Sequence, residues 1–269
     1  MIRPTTAMPP DEERADVNRT DLEKTCLPLL EKVPGFRSLP REALRSIAGG
    51  CRSRSATRDQ VLCEKGQRLD GFYVLISGRV KLAVLSSEGA ERVLDIVLPG
   101  QTFAEAAAFL GQPYPLHAQA LADSHLLYVK LPRVRRAIER WPEVAFRMLT
   151  LMAERTQRLT ADLEACCLHS AGQRIAGFLL REAESDWREA DQGRLTLPAA
   201  KSVVASSLNV SPETFSRELH GLARKGLIEV ERRQIRIPSL TRLRALAGID
   251  GPPGMGVARA PVDIGVRPS

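Results

Sequence analysis

The sequence predicts an α+β chain in three parts: an N-terminal β jelly roll, one long helix, and a C-terminal winged helix-turn-helix. Three observations carry this. Between about 51 and 130, apolar residues come in short runs broken by Gly, Pro and Ser turns, the mark of a two-sheet β structure. From Pro142 to about Cys167 the apolar residues follow a helical repeat with no Gly or Pro to stop it. From 198 to 237 come two short helical patterns, a tight turn between them, and two strand patterns around a charged turn. The expected parts are an arm over 1–20, a jelly roll over 21–140, a long helix over 141–167, a winged helix-turn-helix over 168–247 and a tail over 248–269. The arm is polar and Pro-rich and the tail Gly- and Pro-rich, so both are expected to be disordered.

Residues 22–48 read as short helices. Leu27, Leu29, Leu30 and Val33 end at the Pro34, Gly35 turn, and a second helix opens near Ser38 and runs through Leu44 and Ile47. Strands are predicted at 72–76, 80–85, 92–97 and 126–129, closed by turns at Ser77–Gly78, Glu88–Gly89 and Pro99–Gly100. Between strands, 100–111 starts as a turn and favours a short helix whose free N–H groups suit an anion. Glu105 lies in that element. It reads either as a solvated or capping carboxylate or as a ligand contact. Phe103, Glu105, Tyr114 and His117 are the candidate effector-pocket residues.

Within the long helix, Ala145, Leu149, Met152, Thr156, Leu159, Leu163 and Cys166 are spaced alternately by four and three. Met148 and Leu151 form a second apolar edge that could pack on the jelly roll. About 25 residues at about 1.5 Å each make a helix of roughly 38 Å. A narrow seam of that length calls for a partner, most simply the same helix of a second copy. Leu149, Met152, Thr156, Leu159, Leu163 and Cys166 are the expected dimer seam.

The third part is the most specific. Ser211 is an N-cap residue type, Pro212 suits the first helical position, and Glu213 adds an acid to the first turn. Phe215, Leu219 and Leu222 form one apolar face, and Glu213, Ser216, Arg217 and His220 point away from it. Arg can pair with guanine O6 and N7, and Glu can accept from cytosine N4, so this face suits the major groove. Upstream, Val204 and Leu208 can pack on Phe215 and Leu219. Asn209 stands where the turn needs a left-handed residue. Downstream, 227–230 and 234–237 alternate as a two-stranded wing. Glu213, Ser216 and Arg217 are the candidate base readers; Lys201, Ser211, Thr214, Arg232 and Arg233 are the candidate phosphate-contacting or supporting residues. Two such helices about 34 Å apart would read a palindrome.

Composition agrees with a nucleic-acid partner. The 269-residue chain has a net charge of +7 and a pI of about 9.5, with 13 Lys/Arg against 9 Asp/Glu between 168 and 247. No apolar run is long enough to span a bilayer, and residues 1–20 lack the apolar core of a signal peptide. A cytoplasmic protein without membrane attachment is expected. Five cysteines, an odd number, argue against a disulfide framework. There is no P-loop, Gly-x-Ser-x-Gly or His-Glu-x-x-His motif, so an enzyme is not expected.

The order of parts, with the strings FYVLISGRVK (72–81), Glu88–Gly89, GQTFAE (100–105) and ETFSR (213–217), resembles the CRP/FNR transcription regulators over about residues 22–247. The resemblance implies a cyclic-nucleotide-binding-like jelly roll and a homodimer. It also implies effector-controlled binding to double-stranded promoter DNA, with RNA polymerase contacted beside it. Within the family, the chain most resembles the dissimilatory nitrate respiration regulators, which implies a response to nitric oxide through haem. The axial-ligand candidates are His117 and His169. The Glu-x-x-Ser-Arg pattern resembles the FNR branch and implies a TTGAT half-site rather than TGTGA.

Departures from the family pattern narrow the effector. The cyclic-AMP-binding members hold the phosphate with an Arg-Ser pair, and residues 111–117 here contain neither, so cyclic AMP is not expected. Only Cys26 lies where an iron–sulfur cluster would need several thiolates, so no cluster is expected. A cyclic-nucleotide-responsive regulator, or a redox-responsive one sensing through a cysteine such as Cys166, is the alternative within the class. A cyclic-nucleotide-binding regulatory subunit that does not bind DNA is the alternative from outside it.

Overall fold

The computed structural model of the chain describes residues 19–86, 88–183 and 191–248. They divide into two compact units: the first holds the described residues up to Ala90 and Val97–Met148, the second Glu91–Ile96 and the described residues from Leu149 on. The expected disordered arm and tail fall outside the described residues except at their inner ends. There, Arg19 and Thr20 already belong to a helix, and Gly248 ends the last one.

The first unit opens with α1 (Arg19–Lys32) and α2 (Arg41–Ala48), whose Leu30, Ala43, Leu44 and Ile47 are buried. Eight strands follow along the chain, of which β5 falls almost wholly in the second unit: β1 (Cys51–Ala56), β2 (Val61–Cys63), β3 (Gly71–Ser77), β4 (Val80–Leu85), β5 (Glu91–Val97), β6 (Thr102–Phe103), β7 (His117–Ala120) and β8 (Ser124–Lys130). They form two four-stranded sheets, ordered β1-β8-β3-β6 and β2-β7-β4-β5. That interleaving is a jelly roll, as predicted. Four of these strands, β3, β4, β5 and β8, match the predicted ones. The prediction omits β1 because CRSRSA carries charge on its outer face, and β2, β6 and β7 because each is four residues or fewer.

Sheet pleat decides what fills the interior. On β3, β6 and β8 the residues Tyr73, Leu75, Phe103 and Leu126 turn inward beside Leu62, Leu82 and Ala118 from the facing sheet. A fully buried Phe such as Phe103 contributes roughly 1.5–3 kcal/mol through burial. The turn after β3 requires glycine. Gly78 has φ +89°, and a Cβ there would lie 2.2 Å from the Ser124 hydroxyl. A short helix, α3 (Glu105–Leu110), follows β6, and α4 (Leu131–Arg140) follows β8. The sequence reading did not name α4, which buries Leu131, Val134 and Ala137.

The long helix α5 runs Glu143–Leu168. The second unit continues with α6 (Ala171–Ala183), β9 (Gly193–Thr196), α7 (Lys201–Ser207), α8 (Pro212–Arg224), β10 (Glu229–Glu231), β11 (Gln234–Ile237) and α9 (Leu240–Ala247). Its sheet has three strands in the order β10-β11-β9, all antiparallel. The expected two-stranded wing is thus joined by β9. The core between helices and sheet is built from Ile175, Phe178, Leu179, Val204, Phe215, Leu219, Ile235 and Leu243, all buried.

Candidate nucleic-acid interface

The second unit places the candidate reading helix by three local devices. Its N-terminus is capped: the Thr214 N–H donates to the Ser211 hydroxyl at 3.1 Å, and Pro212 occupies the first helical position. Its floor is the buried triad Phe215, Leu219 and Leu222. Its C-terminus closes at Gly226, whose φ of +65° lets the Leu227 N–H reach back to the Leu222 carbonyl at 3.1 Å. The turn before it is tight because Asn209 takes φ +56°.

Glu213 and Arg217 are exposed on the outer face of α8 and Ser216 is half-exposed, while His220 lies exposed one turn further on. The Arg217 side chain is 71% exposed and 3.9 Å from the Glu218 carboxylate, a surface pairing that water screens and DNA can displace. Hydrogen bonds from its own backbone N–H and from Ser211 hold the Glu213 carboxyl below the usual carboxylate range. Glu213 is therefore an ionised acceptor at neutral pH. A bidentate donor and a charged acceptor about one helical turn apart can address base edges, which is what the arrangement can do chemically.

The supporting residues fall into two groups. Lys201 opens α7 and is exposed, and Arg232 is exposed in the β10–β11 turn with φ +56°. Both can meet phosphates. Ser211 and Thr214 serve α8 itself through the cap. Arg233 is exposed and makes a supporting contact. Its Nη2 donates to the Leu197 carbonyl at 2.7 Å, while the Leu197 N–H bonds back to the Arg233 carbonyl at 2.9 Å. The guanidinium is drawn toward the segment after β9 and helps shape the wing.

Two residues that the sequence reading missed hold this architecture. Arg174 on α6 donates to the Leu208 carbonyl at 3.0 Å, the Asn209 carbonyl at 3.3 Å and the His169 carbonyl at 2.8 Å. It thus ties the turn of the helix pair to the end of α5. Asp191 accepts from the Ser239 hydroxyl at 2.6 Å and from the Thr241 N–H at 2.9 Å, which anchors the start of α9. The Ser239 bond, aided by Thr241, holds the Asp191 carboxyl below its usual range. No local motif signals either residue, since Arg174's bonds to the helix pair and both of these Asp191 bonds reach 34 to 50 positions along the chain.

The candidate effector pocket is reordered by the structure. Phe103 is fully buried and stacks on Tyr73, with ring centroids 4.9 Å apart. Tyr73 in turn meets Tyr128 on the neighbouring strand and accepts a 2.7 Å hydrogen bond from Arg54. Tyr114 joins the same interior cluster. Glu105 opens α3 and is only 6% exposed, so the reading of a solvated carboxylate is wrong. Helix packing after the left-handed Ala104 turns its side chain inward. His117 does not belong with these residues. On β7 the inward positions are Ala118 and Ala120, and the period of two puts His117 on the other face. The interior cluster contains no imidazole, so the haem-ligand candidates His117 and His169 both lie outside it. Segment 111–117 lacks an Arg of its own, yet Arg68 brings a guanidinium to the Gly111 carbonyl at 3.4 Å.

On α5 the expected seam is uncovered. Leu149, Thr156, Leu159 and Leu163 are exposed and Met152 and Cys166 are half-exposed, while Met148 on the second apolar edge is buried. Phe146, which the seam reading left out, is 75% exposed and extends the same apolar surface. His169 lies half-buried just past the end of α5. Among the described residues, no helix is long and apolar enough to cross a membrane, and no group of three or more His, Cys, Asp or Glu could hold a metal ion.

Comparison with known proteins matches this geometry. Residues 53–140 match the cyclic nucleotide-binding domain and residues 173–246 the Crp-like helix-turn-helix domain. The chain is 24% identical over 216 residues to the CRP-like cAMP-activated global transcriptional regulator of Mycobacterium tuberculosis, covering 80% of this chain and 96% of that protein. It is 23% identical over 238 residues to the transcriptional activator FnrA of Stutzerimonas stutzeri, covering 88% and 94%. Among solved structures, FixK2 from Bradyrhizobium japonicum superposes with a TM-score of 0.64 at 24% identity, covering 76% of this chain and 99% of that one. A two-domain chain of jelly roll, long helix and winged helix-turn-helix is a DNA-binding regulator by architecture. This chain belongs to the CRP/FNR family of transcription regulators, a family of non-enzymes whose members bind promoter DNA as dimers.

Proposed function

We propose that the chain is a homodimeric regulator that binds a TTGAT-like palindrome in promoter DNA under control of a small effector. The observation that supports this most directly is the outer face of α8, with Glu213, Ser216 and Arg217 presented above a buried apolar floor and a capped N-terminus. The second copy joins through α5, whose apolar stripe is uncovered over its length. Two reading helices related by a two-fold axis match a palindrome with half-sites one helical turn apart. Such a regulator works in the cytoplasm, where promoter DNA and RNA polymerase are, and contacts the polymerase beside its site.

Control operates as a population shift between a DNA-competent dimer and an incompetent one. The effector must favour one of the two, since equal affinity for both moves nothing. By resemblance, the effector is nitric oxide taken up on haem. Haem would supply an iron that binds the gas, and His117 on the outer face of β7 or His169 after α5 would hold it. Cyclic AMP is the competing effector, since segment 111–117 lacks a fixed Arg-Ser pair but has Arg68 beside it.

Fluorescence anisotropy on a TTGAT-N4-ATCAA duplex and on a TGTGA-type duplex tests this reading. Each is titrated with protein as isolated, with cyclic AMP, and with haem plus nitric oxide without oxygen. Selective binding to the first duplex is expected, strongest with haem and nitric oxide and accompanied by a haem absorption band. Selectivity that appears only with cyclic AMP replaces the effector. Equal binding to both duplexes under every condition overturns the half-site assignment.

A further inference from the structure

The five cysteines fall into two environments. Cys26, Cys51 and Cys63 are buried, and burial pushes the Cys26 thiol up to about 11 and the Cys63 thiol up to about 12. These remain protonated thiols at neutral pH, poor nucleophiles shielded from solvent. Cys166 and Cys167 stand side by side near the C-terminal end of α5, the first half-exposed and the second exposed.

Their positions on the helix differ. Cys166 closes the 4-3 repeat that runs through Leu149, Met152, Thr156, Leu159 and Leu163, while Cys167 lies about 100° further round the helix. The repeat face carries Leu149 at 64% and Leu163 at 66% exposure, large apolar side chains that the chain itself leaves uncovered. A stripe repeating every 3.5 residues fits a copy of itself. The two reading units follow α5 in the chain and must reach one DNA site together, so the helices run parallel about the two-fold axis and each seam residue meets its own counterpart. Packed helices have axes about 8–10 Å apart and Cα atoms about 2.3 Å from each axis. Facing seam residues therefore have Cα atoms roughly 3.4–5.4 Å apart, a range whose upper half overlaps the roughly 4.4–6.8 Å that a disulfide spans.

We propose that Cys166 is a site of oxidative modification, forming a disulfide with Cys166 of a second copy across the α5 seam. This rests on the dimeric reading above. The oxidant is a hydroperoxide. The Sγ thiolate of one Cys166 attacks the peroxide oxygen, the O–O bond breaks, and a sulfenic acid forms as water or an alcohol leaves. The second Cys166 Sγ then attacks the sulfenic sulfur. The S–S bond forms and the hydroxyl leaves with the thiol proton as water, so two thiols lose two electrons to one peroxide. The link locks the seam immediately before His169, whose carbonyl Arg174 ties to the helix-turn-helix. Oxidation thereby fixes the dimer at the point from which the two reading units depart.

The test uses the full-length chain, reduced and freed of thiol. Sedimentation velocity sets its state, and hydrogen peroxide is then added in small excess before non-reducing electrophoresis and peptide mass spectrometry. Wild type, Cys166→Ser and Cys167→Ser are compared. A reduced dimer is expected, with a band of twice the chain mass after peroxide in wild type and Cys167→Ser, reversed by dithiothreitol and carrying a Cys166–Cys166 peptide. Cys166→Ser stays at single mass. A reduced dimer that gives no crosslink, or one that persists in Cys166→Ser, overturns the proposal and leaves the dimer standing. A reduced monomer overturns the dimeric reading and the proposal with it.

Discussion

The helix-turn-helix and the jelly roll use aromatic residues to opposite ends. In the second unit the fully buried ring of Phe215 lies under an exposed polar surface that carries Glu213 and Arg217. In the jelly roll the Tyr73 ring stacks on Phe103 and meets Tyr128 at a tilt, and the candidate ligand residues Glu105 and Tyr114 are drawn into the packed interior. A base-reading surface can be built from a single helix whose inner face is structural and outer face functional. A ligand site is built from several strands at once, and its residues are shared with the core.

Substitutions can separate the two regions. Phe215→Ala and Phe103→Ala are each expected to cost about 3–5 kcal/mol of stability in their own unit, read from denaturant unfolding. Phe215→Ala should also abolish selective DNA binding, whereas Phe103→Ala protein that remains folded in the cold should keep its preference for the matched duplex. Equal loss of preference in both would mean that the regions are not separable.

Arg217→Ala sharpens the comparison on the outer face of α8. It should lose about 1–3 kcal/mol of discrimination per half-site, with little change in affinity for a scrambled duplex. Ser211→Ala removes the cap and should cost about 1 kcal/mol of unfolding stability, weakening binding without changing which bases are preferred. Lys201→Ala should weaken all duplexes alike and lower the slope of log K against log salt by about 1.

The smallest effect concerns Asp191. Its carboxyl titrates below the usual range in the folded chain because the ionised form accepts from Ser239 and Thr241. A lowered folded pKa means that this stabilisation is present above the ordinary Asp range and is lost as pH falls through the lowered value. Asp191→Asn should therefore flatten the acid side of the stability profile of the second unit slightly, an effect kept small by exposure. An unchanged acid limb would remove Asp191 from the account of α9.

What could be read in advance follows the same division. Ser211, Pro212, Phe215 and Leu219 are legible because a cap and a helical period are local, and Asn209 because a left-handed turn restricts residue type. The continuous apolar run at 72–76 and the alternating run at 80–85, each closed by a turn, make the jelly roll legible. The burial of Glu105 and the outward face of His117 were not legible, since both depend on which sheet face meets the interior. The Arg174 bond to Leu208 and the Arg233 bond to Leu197 depend on carbonyls 34 and 36 residues away, and no spacing rule reaches that far.

The central claim is that α8 reads bases. Competition anisotropy of wild type, with a TTGAT-N4-ATCAA duplex against a scrambled duplex of equal length and composition at two salt concentrations, tests it most directly. The account predicts a preference of on the order of 1,000-fold or more for the matched duplex, persisting while overall affinity falls with salt. Equal affinity for the two duplexes at both salt concentrations, in every effector condition, would contradict it.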